Sequence, residues 1–235
     1  MHNLKLWSPT NLQNNLEKFI NSIDKKLNIQ SYEELHKWSI ENKDEFWNEI
    51  WNFTNIIGSK KGSIFKSNKE FIKAKFFEDS NLNYTENCLS KNDKSDAIVS
   101  YSENKTKKVL SWDKLRENVF KVSYFFKTKN ITEGDRIAAI LPNFAETVVS
   151  FLATAQIGAI WSSCSPDFGK QAIIDRFKQI NPKILIVTDY YFYNKKKIDT
   201  TILIPSILKS IPSIKDVIVI PYENKLANLE SNFLY

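Results

Sequence analysis

The sequence predicts an α/β protein in which a helix-rich segment, residues 1–95, precedes a doubly wound, mostly parallel sheet in residues 96–235. Three observations carry this reading. Near Asp96 the texture changes from Asn-, Lys- and Trp-rich patches of helical period to short β-branched runs. The runs Arg136–Leu141, Ala159–Ser162 and Lys183–Thr188 are short and largely apolar, as strands buried on both faces are. Amphipathic stretches that open on cap signals separate them, so the order is β-α-β-α-β and the crossovers require parallel strands.

In the first segment, Tyr32, Leu35 and Trp38, then Phe46, Trp47, Ile50 and Trp51, place aromatic side chains on one face of two short helices. Ser31 with Glu34 three residues on reads as a capping box, and Gly58 as the end of the second helix. Aromatic residues at this spacing fill a core or docking face more often than they stack a ligand. In the second segment, Ala97–Tyr101 and Lys108–Leu110 form a hairpin across the polar turn from Ser102 to Lys107. Ser111 caps a helix carrying Leu115, Val119, Val122, Phe125 and Phe126 to about Lys129, and Gly134-Asp135 turns into the first buried strand. Asn143 with Glu146 reads as a second capping box, opening a helix that Gly158 ends. A further helix spans Gly169–Ile180, and Val217–Ile220 adds a strand after Pro212.

Composition excludes several classes. With 42% hydrophobic and 26% charged residues the chain is globular, and five glycines are too few for a collagen-like chain or several Gly-rich phosphate loops. The net charge of +6 comes almost wholly from lysine, which is first of all a soluble surface. Two cysteines, Cys88 and Cys164, and a start without a secretory leader point to a reduced, cytoplasmic compartment. The apolar stretch Thr147–Trp161 is interrupted by Ser150, Thr154 and Gln156 and is too short for a hydrocarbon layer of ~30 Å.

Ligands of open parallel sheets sit at the carboxyl ends of strands, which singles out Pro142-Asn143, Ser162–Gly169 and Asp189–Lys197. The middle loop gathers hydroxyls, a thiol and a carboxylate, although Ser, Pro and Asp are also ordinary turn residues. Cys164 has no histidine at hand, since His2 and His36 both belong to the first segment, and no Cys/His spacing suits zinc. Leu141-Pro142-Asn143-Phe144 stands where a dinucleotide fingerprint would need glycines. Lys195-Lys196-Lys197 beside Tyr190–Tyr193 could hold a phosphate and stack a base, track single-stranded nucleic acid, or be a solvated lysine loop.

Two stretches, Gly158-Ala-Ile-Trp-Ser-Ser-Cys-Ser-Pro-Asp-Phe-Gly169 and Asp175-Arg-Phe-Lys-Gln-Ile-Asn-Pro-Lys183, together with Tyr193-Asn194, resemble the acetoacetyl-CoA synthetase branch of the adenylate-forming acyl-CoA ligases. Leu82-Asn83-Tyr84-Thr85-Glu86-Asn87 is similar to the segment joining that family's N-terminal cap to its AMP-binding domain. Trp38-Ser39-Ile40, Phe46-Trp47 and Ile50-Trp51 resemble the cap itself, so the likeness runs from about Trp7 to Pro221.

The resemblance implies a cap over residues 1–95 and the first part of an AMP-dependent synthetase/ligase domain over 96–235. It implies acetoacetate, ATP and CoA as substrates, an acyl-adenylate intermediate, and Mg²⁺ in the complete enzyme. The family's phosphate loop, adenine-binding segment, ribose-binding aspartate and adenylation lysine lie further along than Tyr235. The chain is therefore expected to be an N-terminal part, inactive and binding no cofactor tightly by itself, with no catalytic residue and no metal ligand of its own. Its partner would be the remaining C-terminal part of the same enzyme, and neither nucleic acid nor membrane. By resemblance to acetyl-CoA synthetases, Tyr193, Asn194, Lys195 and Lys196 occupy a basic loop near the CoA 3′-phosphate, and Ser165, Pro166 and Asp167 a turn along the pantetheine path. Two departures stand out: Lys195 replaces the family's Gly and Phe192 its Arg, which removes a bidentate phosphate donor. An acetate or propionate ligase, and a non-catalytic lysine-rich module, remain open; steep salt dependence of binding would mark the latter.

Overall fold

The computed structural model describes residues 14–103 and 107–223. Trp7, where the resemblance begins, the Asn104–Thr106 part of the expected hairpin turn, and residues 224–235 lie outside the described residues. The chain divides into two compact units, Met1–Leu82 and Asn83–Tyr235.

The first unit contains α1 (Asn15–Leu27), α2 (Tyr32–Glu41) and α3 (Lys43–Phe53), then β1 (Gly58–Ser59), β2 (Phe65–Lys66), β3 (Lys75–Phe76) and β4 (Asn81–Leu82). The capping box forms as expected: Glu34 N–H donates to Ser31 Oγ at 3.2 Å and Ser31 N–H to Glu34 Oε2 at 3.1 Å. Most of the aromatic stripe is core, with Tyr32 left exposed. Phe19, Ile20 and Ile23 of α1 meet Leu35, with Trp38, Phe46, Ile50 and Phe53 packed against them. Phe19 and Phe53 meet edge to face at 5.1 Å. Gly58 does not end α3. The helix stops at Phe53, Asn55 takes the left-handed conformation (φ 52°), and Gly58 opens β1. A Cβ at Gly58 would stand 2.7 Å from the Asn81 carbonyl oxygen, so the close β1–β4 approach is what demands glycine.

Asparagine takes over elsewhere what glycine commonly does. Asn28, Asn130 and Asn181 follow the helices that end at Leu27, Thr128 and Lys178, with φ between 47° and 55°. Asn tolerates that region at less cost than other side-chain-bearing residues, which is how a chain with five glycines ends so many helices.

The second unit begins with α4 (Tyr84–Cys88), the hairpin β5 (Asp96–Tyr101) and β6 (Lys107–Ser111), and α5 (Trp112–Thr128). The alternating core follows: β7 (Arg136–Ile140), α6 (Ala145–Gln156), β8 (Ile160–Cys164), α7 (Lys170–Lys178) and β9 (Ile184–Thr188). A second hairpin, β10 (Tyr190–Tyr193) and β11 (Lys196–Asp199), then α8 (Ile204–Ser210) and β12 (Asp216–Ile220) complete it. The sheet order is β12-β9-β7-β8 and every pairing in it is parallel. The chain moves from β7 to β8 on one side and returns across β7 to β9 on the other. Right-handed crossovers then put α6 and α7 on opposite faces. Strand alternation matches: Ile137, Ala139, Ile184 and Ile186 pack with α5 and α6, while Ala138, Ile140, Leu185 and Val187 pack with α7 and α8.

Two local expectations change. The N-cap of α6 is Phe144, not Asn143, and Glu146 does not close a capping box because its carboxylate pairs with Lys108 of β6. An ion pair between elements outcompetes the local cap here. Residues 83–95 pack with the second unit although their composition belongs with the first: Thr85, 1% exposed, donates its Oγ1–H to the Leu152 carbonyl at 2.7 Å. Asn83 donates to the Ala155 carbonyl at 3.0 Å while its Oδ1 caps α4.

Asp135, at the entrance to β7, accepts from Thr132 N–H (2.9 Å), Thr132 Oγ1 (3.1 Å) and Lys183 Nζ (2.8 Å). The Lys183 ammonium first, then the Thr132 donors, hold its carboxyl below the usual value against the opposing effect of burial. Its folded value is depressed, so its contribution is complete above the unfolded aspartate value of about 3.9 and is lost as pH falls through the lower folded value. Asp135→Asn should therefore destabilise the protein at pH 6 and cost progressively less in acid. Urea titrations at a series of pH values test this, and a penalty independent of pH would refute it.

Candidate functional site

Three segments leave the carboxyl edge of the sheet: Pro142–Phe144 after β7, Ser165–Gly169 after β8, and Asp189 with the β10–β11 hairpin after β9. The last was expected as a loop and is a hairpin with a two-residue turn. Asn194 (φ 49°) and Lys195 (φ 62°) both adopt the left-handed region, the signature of a type I′ connection. The sequence hides it because Asn-Lys stands where Asn-Gly announces such turns. Lysine in that conformation is strained by roughly 1 kcal/mol. Lys195→Gly should accordingly stabilise the protein by about 0.5–1 kcal/mol, since part of the relief is returned as unfolded-chain entropy. Differential scanning calorimetry would show it, and a lowered melting temperature would argue against the turn.

The register separates the lysines. Phe192 pairs with Lys197 and Tyr193 with Lys196, and directly opposed residues project from the same face. On one face Lys197 Nζ lies 3.6 Å from the Tyr190 ring centroid, and Phe192 meets Tyr222 at 5.8 Å. On the other stand Tyr191, Tyr193 and Lys196. Burial, then the Asp167 carboxylate and Tyr193, push the Tyr191 hydroxyl up. Of the expected residues, Ser165, Pro166 and Asp167 lie in the turn after β8, and Tyr193, Asn194, Lys195 and Lys196 form the tip of the hairpin after β9, so both groups leave the same carboxyl edge of the sheet. Pro166 is buried and the other six are exposed.

Asp189 anchors the base of the hairpin. Its Oδ1 accepts from the N–H groups of Tyr190 and Tyr222, both at 2.8 Å. Its own N–H donates to the Ile220 carbonyl at 3.2 Å and its carbonyl accepts from Thr200 N–H at 3.0 Å. Lys195 N–H at the far end donates to Glu103 Oε1 at 2.8 Å.

Sequence reasoning did not foresee the cavity of about 580 Å³ on the Phe192 face, lined by Tyr101, Lys108, Phe144, Glu146, Phe192 and Tyr222. Its aromatic residues come from four separate segments, and Phe144 stacks on Tyr222 at 6.4 Å. Tyr190 donates its hydroxyl to Glu223 at 2.8 Å, and burial with that acceptor pushes its pKa up to about 12. Cys164 is buried and its thiol is pushed up to about 11 by desolvation, so it is no nucleophile at neutral pH. Among the described residues no group of three or more His, Cys, Asp or Glu side chains could hold a metal ion. No helix of the described residues is long and apolar enough to cross a membrane.

Comparison with known proteins agrees with the fold. The profile of the family described as AMP-binding enzyme matches residues 86–233, and that described as acetyl-coenzyme A synthetase N-terminus matches residues 32–88. The acetoacetyl-coenzyme A synthetase of Rhizobium meliloti (strain 1021) is 38% identical over 198 residues, covering 84% of this chain and 30% of that protein. The acetoacetyl-CoA synthetase of Xenopus tropicalis is 36% identical, covering 92% of this chain and 33% of that protein. The solved acetoacetyl-CoA synthetase from Streptomyces lividans superposes with a TM-score of 0.86 at 27% identity, over 94% of this chain and 35% of that one. A Brucella canis acyl-CoA synthetase, at 22% identity and a TM-score of 0.52 over 65% of this chain and 26% of that one, shares the fold. The chain spans about a third of the length of the curated relatives it matches.

Proposed function

Because this chain belongs to the AMP-binding enzyme family, we propose that it is part of an acetoacetate:CoA ligase of the cytoplasm, in which it supplies the surface that receives CoA. The acetoacetate carboxylate attacks the α-phosphate of ATP, forming the acyl-adenylate and releasing pyrophosphate, after which the CoA thiol displaces AMP to form acetoacetyl-CoA. Both halves bring anions together, and placing them is most of the catalytic problem.

One observation carries the reading. The hairpin register puts Lys196 beside Tyr193 on one face of a hairpin that leaves the same carboxyl edge of the parallel sheet as the Ser165–Asp167 turn. An ammonium there suits a 3′-phosphate, and the turn would border the pantetheine arm. Lys197 is held over Tyr190 on the opposite face. Phe192 faces that same side, where it packs on Tyr190 and Tyr222. The position that would carry an arginine by resemblance thus contributes to packing here instead of to anion binding.

ATP, Mg²⁺ and acetoacetate would be held by parts of the ligase other than the described residues. The chain alone should show no ATP–pyrophosphate exchange with any short carboxylic acid. Joined at its matching position to the remaining two thirds of the Rhizobium meliloti relative, it should support exchange with acetoacetate. Exchange by the chain alone, from protein free of host ligase, would overturn the first expectation. A preference of the joined protein for acetate or propionate would replace acetoacetate as the substrate.

A further inference from the structure

We infer that Asp189 is a positioning residue for the basic hairpin, setting the place of Lys196 and Tyr193 at the sheet edge without touching the ligand; this rests on the reading of Lys196 as a CoA-phosphate contact. A two-stranded hairpin is marginal by itself and takes its orientation from whatever ties down its base. Here the β10–β11 hairpin pairs with no strand of the four-stranded sheet, so side chains and turns must hold it. Asp189 is the first residue beyond β9 and is 3% exposed. Through one oxygen it joins the first amide of the hairpin, Tyr190 N–H, to Tyr222 N–H in the segment leaving β12. Its main chain closes the arrangement: Asp189 N–H reaches the Ile220 carbonyl, and its carbonyl takes Thr200 N–H just past β11.

Both ends of the hairpin and the edge strand therefore meet at one residue. Two buried backbone donors share this one acceptor, and both lose their partner when the side chain is truncated. Asp189 Oδ2 has no hydrogen-bond partner among the described residues, so an amide can replace the carboxylate while Oδ1 keeps its two backbone donors and the Thr188 hydroxyl. Asparagine is thus the conservative control and alanine the disruptive one.

The test uses this chain, with adenosine 3′,5′-bisphosphate as probe and adenosine 5′-monophosphate as control, followed by amide NMR and hydrogen exchange. In the wild type the bisphosphate should shift the Tyr193–Lys196 amides at millimolar concentration and the monophosphate should not. Asp189→Asn should keep this response within about twofold. Asp189→Ala should weaken it about tenfold or more, and speed exchange in Tyr190–Asp199 while β7 and β9 stay protected. A wild type that answers both nucleotides alike, or neither, overturns the phosphate reading beneath the inference. A discriminating wild type matched by an equally discriminating Asp189→Ala overturns the assignment of Asp189 alone. Uniform loss of protection across the sheet in Asp189→Ala would show a residue that merely supports the fold, and would overturn it as well.

Discussion

Phe177→Ala is expected to destabilise the protein by about 3–5 kcal/mol, the range for an emptied, fully buried phenylalanine site. Phe177 is 0% exposed and lies on α7, within the layer formed by Ala138, Ile140, Leu185, Val187, Ile204 and Ile207. These residues come from two strands, β7 and β9, and the helix α8, so none can collapse into the gap without moving an element that the rest of the sheet holds in place. The denaturation midpoint in urea should fall sharply with little change in slope. Phe177→Leu, which keeps most of the volume, should cost much less. A loss below about 1 kcal/mol for alanine would show that α7 is not packed on the sheet as described. Because α7 begins immediately after the Ser165–Gly169 turn, a folded but loosened variant should also weaken binding at that turn.

In the ligase assembled with this chain, Lys196→Ala should raise the apparent Michaelis constant for CoA about tenfold while leaving pyrophosphate exchange nearly unchanged. Only the second half-reaction contains a 3′-phosphate. A charge-assisted contact contributes roughly 1.5–3 kcal/mol, and the exposure of Lys196 places it at the lower end. Two controls make the result specific. Dephospho-CoA lacks the phosphate, so the wild type and the variant should use it equally. Lys197→Ala should leave CoA almost unaffected, because that ammonium is held over the Tyr190 ring. If Lys196→Ala impairs CoA and dephospho-CoA alike, or slows pyrophosphate exchange as much as thioester formation, the hairpin is a solvated lysine surface.

The contrast between these two lysines shows where reading a sequence stops. Lys195, Lys196 and Lys197 are equivalent in a string of letters, and only strand pairing tells that Lys196 opposes Tyr193 and Lys197 opposes Phe192. The pairing depends on two left-handed residues whose usual mark, a glycine, is replaced by Lys195. Likewise, the acid at Glu146 had a local partner by spacing, but the structure gives it Lys108 from a strand 38 positions earlier.

By itself the sequence determined the features that depend on neighbours within one or two turns of chain. The apolar runs Ile137–Leu141 and Ile184–Thr188, the Ser31–Glu34 cap, the helix from Ser111 to Lys129 and the break at Gly158 all follow from periodicity and backbone preference, which act over a few residues. Parallel pairing also followed, because short strands separated by helices have few other ways to bury both faces. Tertiary structure alone decided which lysine shares a face with Tyr193, that residues 83–95 pack with the second unit, that Asp189 gathers three segments, and that Tyr101, Phe144, Phe192 and Tyr222 line a cavity. Those outcomes hinge on contacts between residues tens of positions apart. Their energies depend on register and facing, which no local propensity encodes.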